Sequence, residues 1–187
     1  MKRKPLKAKT LKAKTTLKAK KPLKAVSKPK KRKTLEQKTA QELIKEADKW
    51  FSRYIRLRDS KYVDGDWLAA CICCGEEVLV LSGDKWGRAC DNGHFLSRGM
   101  HQLRYNEFNC NAQKSFCNVW KDKETMQEGY RSGIVAKYGK DTLLELKEAA
   151  KAPGVRKRLP KQELLQIITD AKEYIKHCQT FPQNYSR

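Results

Sequence analysis

The stretch C71-I-C-C74-G, followed by D91-N-G-H94-F, N109-C110 and C117-N118, decides how this chain is read. It sets one histidine between two groups of cysteines. Cys71 and Cys74 have the C-x-x-C spacing with which two thiolates of one knuckle turn share a zinc ion. The second group is irregular, because Lys114 stands where another C-x-x-C would place its first cysteine. A short helix starting near Asn106 or Asn109 would bring Cys110 and Cys117 to the same side, two turns apart. Cys71, Cys74, Cys110 and Cys117 are therefore the expected structural zinc ligands, with Cys73 or Cys90 as substitutes. The competing reading makes Cys110 a buried apolar residue and leaves the zinc site incomplete. Cys178, alone near the end of the chain, reads as core.

Outward from this stretch, residues 68 to 90 read as a β-hairpin. An apolar strand carries the first cysteines, V78-L-V-L81 forms the next, and S82-G-D84 turns the chain. A loop from Phe95 to Tyr105 and the short helix complete a β-β-α order. Ala40, Leu43, Ile44, Ala47, Phe51, Tyr54 and Ile55 recur at helical spacing, which predicts one amphipathic helix over 36–59. Its other face is solvated, although Arg53, Arg56 and Arg58 are available to phosphate. Downstream, helices are expected over 122–138 and from Asp141 to about Ala150. A last helix has Pro160 in its first turn and the stripe Leu164, Leu165, Ile168, Ala171 and Ile175. That stripe is scaffold or a dimer surface.

Charge separates the ends. Residues 2 to 33 hold sixteen Lys or Arg and no acid, whereas the rest carries 26 bases against 21 acids. The tail has a degenerate repeat, with leucines at 6, 11, 17 and 23, that fits neither a helical face nor a strand. A disordered polycation that binds nucleic acid by counterion release is the expectation. No apolar run is long enough to cross a bilayer and no secretory segment opens the chain, so a cytoplasmic protein is expected. Seven cysteines in that compartment point to metal ligation rather than disulfides.

His94 has an acid, Asp91, three residues before it, and Asn118 follows the last cysteine of the cluster. Phosphodiester hydrolysis needs a base to activate water and a hard cation at the scissile phosphate. Neutral imidazole suits the first role, and a carboxylate with an amide oxygen suits Mg²⁺ or Mn²⁺. Arg98, His101 and Arg104 in the loop, and Lys121 beyond Asn118, are candidate phosphate contacts on DNA.

These motifs together resemble the HNH, or His-Me finger, nucleases in a zinc-stapled form. More narrowly, C71-I-C-C-G, D91-N-G-H-F, Q102-L-R-Y-N-E-F-N, Q113 and C117-N118 are similar to the phage NinG (Rap) recombination proteins, over about residues 40 to 147. The resemblance implies an endonuclease acting on branched recombination intermediates, such as Holliday junctions and D-loops, in the host cytoplasm. It implies His94 as general base, Asn118 as a ligand of the catalytic ion, and Asn109 as the catalytic-motif asparagine that braces the loop holding the base. Asp91 is the further ligand, because Gly93 stands directly before the histidine.

The expected fold is thus α+β: a small zinc-stapled ββα-metal nuclease core flanked by N- and C-terminal helices. The expected divisions are a basic tail (1–34), an amphipathic helix (35–62), the core (63–122) and a helical region (123–187). A homodimer would suit two cuts across a junction. The rival expectation is a non-catalytic zinc protein that binds DNA as a recombination accessory.

Overall fold

The structure is a computed structural model that describes residues 33–119 and 122–186. The expected disordered tail, up to Arg32, and the phosphate candidate Lys121 lie outside the described residues. The described chain is mixed α+β, with a four-stranded antiparallel sheet, a separate two-stranded hairpin and helices around them.

The first amphipathic stretch forms α1, Ala40–Arg58. Thr39 starts it with a reciprocal cap: its hydroxyl accepts from the Glu42 amide, and Glu42 Oε2 accepts from the Thr39 amide at 2.8 Å. Such a cap contributes about 1 kcal/mol. Leu43 and Ala47 meet Leu164 and Ile168 of α5, Lys161–Thr180, while Phe51 and Ile55 meet Cys110. Each fully buried Leu or Ile there contributes about 1.5–3 kcal/mol. Helix α1 is therefore held between α5 and the hairpin. The α5 stripe is used inside the chain against α1 and the sheet. Pro160 caps α5 instead of entering its first turn.

The chain leaves α1 at Asp59 and enters β1, Ser60–Val63, a strand inside the region expected to be helical to residue 62. Asp64 and Gly65, both at positive φ, make the tight turn into β2, Asp66–Ala70. The Cys71–Gly75 knuckle leads to β3, Glu77–Ser82, and the expected turn at Gly83 leads to β4, Lys85–Trp86. The sheet order is β1-β2-β3-β4, and its Trp67, Ala69, Val78 and Val80 share a core with Leu57, Ile175 and Cys178.

The short helix expected to begin near Asn106 or Asn109 does not form there. Cys110–Lys114 is instead β6, antiparallel to β5, Cys90–His94, in a register that pairs His94 with Cys110 and Cys90 with Lys114. Helix α2 follows at Ser115–Val119. C-N-A-Q-K is a poor strand sequence by propensity. Burial of Cys110 through Gln113 overrides that, because strand preference is largely a packing preference.

Helices α3, Lys123–Tyr138, and α4, Lys140–Ala149, follow the sequence expectation closely. Gly139, at φ 92°, separates them. Helix α3 rests directly on the knuckle. A Cβ at Gly129 would come within 2.8 Å of the Cys73 carbonyl, and one at Gly133 within 1.9 Å of the Ile72 carbonyl.

Candidate functional site

Strand alternation assigns the residues of β5 to two sides. Cys90, Asn92 and His94 fall on one side, toward α1, and Asp91 and Gly93 fall on the other. The contacts agree: Cys90 joins the core that contains Leu57, and Asn92 and His94 line a cavity with α1 residues. A Cβ on Gly93 would strike the Gln113 side chain at 2.1 Å. The position directly before His94 therefore has no room for a carboxylate.

His94 ends β5, where its ring Nε2 lies 3.1 Å from the Arg104 carbonyl. In the neutral ring that contact places the hydrogen on Nε2 and leaves Nδ1 basic. Burial, then the charge of Arg98, lower its pKa to about 4, against an opposing pull from the Arg104 and Asn92 backbone. The ring is thus neutral at physiological pH. Asn109, fully buried, braces the loop that follows: its Oδ1 accepts from the Leu96 amide at 2.7 Å, and its Nδ2 donates to the Leu96 and Leu103 carbonyls. It positions the loop and is sealed from any substrate. Tyr130 of α3 secures the same end of the hairpin by donating to the Gly93 carbonyl at 2.9 Å.

The cavity beside His94 has a volume of about 370 Å³ and is lined by Lys45, Lys49, Arg53 and Arg56 of α1, with Arg98 from the loop. Asn92 lines it too; its side-chain Oδ1 is buried without a hydrogen-bond partner among the described residues. The three arginines of α1 have separated. Arg53 lies over the Trp50 and Trp86 rings, and Arg56 donates to the Gly87 and Cys90 carbonyls. Arg58 is structural: it donates to the Glu107 and Cys110 carbonyls and pairs with Asp59, which takes the Ala112 amide.

The other phosphate candidates diverge as well. Arg98 is exposed at the cavity. Arg104 is committed to Asp48 through bonds of 2.7 and 2.6 Å, so it ties the loop to α1. His101 opens a short 3-10 turn, His101–Leu103. Asp91 and Asn118 do meet, with Asn118 Nδ2 donating to Asp91 Oδ2 at 3.2 Å. That pair leaves an amide oxygen and a carboxylate oxygen as hard donors. Alternation separates it from His94, so the three residues read as one centre divide between the two sides of β5.

The cysteines assemble differently from the four-ligand expectation. The sulfurs of Cys71, Cys74 and Cys117 lie within 4.8 Å of one another, and those of Cys74 and Cys117 are 3.6 Å apart. A tetrahedral zinc with bonds of about 2.3 Å separates its sulfurs by roughly 3.8 Å, so these three residues could bind such a metal. Cys110 is not among them. Because β6 is a strand, Cys110 points to the α1 side, where it is fully buried against Phe51 and Ile55. Cys90 lies in the sheet core, and Cys73 accepts a hydrogen bond from Gln113 Nε2 at 3.0 Å. Around Cys71, the Cys73 thiol and then the amides of Lys114, Cys73 and Cys74 draw the pKa down, which favours thiolate. Lys114 donates that amide at 3.2 Å and turns its ammonium to Glu76.

Sequence reasoning missed Asn92, Asp48 and Tyr130. Asn92 was within reach, since a residue two before His94 on a strand shares its side. Asp48 and Tyr130 carry no local signal and act only through tertiary contact.

Neither the curated proteins nor the solved structures contain a match to this chain. A family model described as Bacteriophage Lambda NinG protein matches residues 1–180, nearly the whole chain, and the protein belongs to that family.

Proposed function

We propose that this protein is a divalent-metal-dependent DNA endonuclease of the HNH, or His-Me finger, type that cleaves branched recombination intermediates. Family membership supports a phage recombination role. The observation that carries the catalytic reading is His94: a neutral imidazole at the end of β5, with Nε2 occupied by the Arg104 carbonyl, beside a cationic cavity. Its Nδ1 takes a proton from the attacking water, and a rise in local negative charge at the phosphate is met by Arg98. Asn109 keeps the loop between them in place.

Asp91 and Asn118 are the residues that would hold Mg²⁺ or Mn²⁺, whose chemistry is to neutralise charge on the phosphate and leaving oxygen. Cys71, Cys74 and Cys117 are the residues that would hold zinc, whose role there would be structural, tying the knuckle to α2. One observation favours a second reading. Asp91 falls on the side of β5 opposite His94, which would suit a non-catalytic zinc protein that binds DNA.

A cleavage assay decides between them. Full-length protein is given a four-way junction and a plain duplex, with and without Mg²⁺ or Mn²⁺. The nuclease reading expects cation-dependent cutting that favours the junction and falls by about 10²- to 10⁴-fold in His94→Ala, with DNA binding retained. Binding without cutting under all conditions would establish the accessory reading instead.

A further inference from the structure

Lys45, Lys49, Arg53 and Arg56 recur at three- and four-residue intervals, so they share one side of α1. From the first to the last they extend about 16 Å along the helix. That is longer than one phosphate group needs. Arg98 continues the same cationic lining, and His94 lies within it. The single acid of the lining, Asp48, is occupied by Arg104 and Tyr105.

The cations are held in place. Arg53 is 5.1 Å from the Trp50 ring and 4.9 Å from the Trp86 ring, and Arg56 is 4.8 Å from Trp86. Stacking occupies the faces of the Arg53 guanidinium and leaves its N–H edges as donors, whereas Arg56 donates from Nε and Nη1 to the Ser52, Gly87 and Cys90 carbonyls and adds charge from a fixed position. Two tryptophans so placed reduce the entropy lost when an anion is bound. Lys45 and Lys49 are exposed at the far end, where they add charge without contributing to the core.

We propose that this side of α1 is the docking surface for a DNA strand, and that it grips successive phosphodiesters and leads one of them to His94. Neighbouring cations on it are about 5–6 Å apart at their Cβ atoms, close to the separation of adjacent phosphates along one strand. The length of the rail selects a polyanion over a mononucleotide. Its sequence-independent chemistry suits a protein that recognises DNA by shape. The proposal rests on the nuclease reading only for where the strand is cut.

The test measures affinity of the full chain for a labelled duplex by fluorescence anisotropy, across a salt series without added divalent ions. Lys45→Gln/Lys49→Gln is compared with Lys140→Gln/Lys147→Gln, which removes two exposed lysines of α4 outside the cavity. Removing one cation that binds a phosphate flattens the log–log salt slope by about 0.9. The α1 variant is expected to lose nearly two units of slope and to bind more weakly, and the α4 variant to match the wild type. Arg53→Ala should weaken binding in the same direction. An unchanged slope in the α1 variant, equal losses in the two double variants, or no DNA binding by the wild type would overturn the surface. The two readings fail separately. A flattened slope in a protein that never cuts DNA keeps the rail and removes the nuclease; normal cutting with an unchanged slope does the reverse.

Discussion

Toward α3, the hairpin formed by β5 and β6 is covered: Tyr130 donates to the Gly93 carbonyl, Gln113 Nε2 donates to Cys73 while its Oε1 has no partner among the described residues, and Asn111 meets Tyr138. Toward α1, the same strands present His94 to a cavity, Asn92 keeps an unpartnered oxygen, and the opposing helix supplies cations that form no ion pair among the described residues. Each side keeps one buried amide oxygen without a partner, so the contrast lies in the charges: Lys137 toward α3 is paired with Asp59, whereas Lys45, Lys49, Arg53 and Arg98 toward α1 form no ion pair among the described residues. Polarity at a buried hairpin is therefore not itself a sign of function. What distinguishes the α1 side is that its charge is not neutralised from within.

The largest effect should come from opening the covered side. Structural zinc in small domains contributes on the order of 10 kcal/mol, comparable with the whole stability of a domain. Chelation, or Cys117→Ser, should therefore abolish the cooperative melting transition followed by circular dichroism, with recovery on adding zinc to the chelated protein. An unaltered transition would show that the three cysteines hold no metal. On the open side, the proposed nuclease role expects His94→Ala to lower cleavage by about 10²- to 10⁴-fold. Its melting temperature should move little, and a collapse of the fold would mean that His94 belongs to the scaffold.

Acid should touch the same histidine through stability. The unfolded His94 titrates near 6.5 and the folded one near 4, so between these values the unfolded state binds the extra proton. Stability then falls as pH drops from about 6.5 to 4, by up to about 3 kcal/mol for this group, and levels off below. Denaturant titrations should show that slope in the wild type and a shallower one in His94→Asn. The smallest change is Tyr130→Phe, which leaves the buried Gly93 carbonyl without its donor and should cost about 1–3 kcal/mol. If that variant cut DNA normally with no loss of stability, the two sides of the hairpin would be independent.

Helical periodicity made α1, α3, α4 and α5 legible, because each buries a continuous stripe such as Leu43, Ala47, Phe51 and Ile55. The C-x-x-C knuckle was legible from spacing alone. Strand β6 was not, since Cys110–Lys114 has no β-branched residue and its strand state depends on cover from both sides. The misplaced Cys110 follows from that single reversal. A strand sends Cys110 toward α1, whereas a helix would have sent it toward Cys117. In the same way, β5 alternation separates Asp91 from His94, which linear proximity had joined. The cationic side of α1 was visible as a sequence pattern, but only the fold connects it to His94.

The knuckle and Cys117 lie 43 residues apart, counted from Cys74, and everything between them includes β5, the braced loop and β6. Ligation of one ion there would close a chain loop that contains His94 and Asn109. Amide hydrogens across the whole loop should consequently exchange as one cooperative unit, slow when the ion is present and fast when it leaves. A freshly synthesised chain would acquire its histidine site in a single late event, at a time set by metal supply.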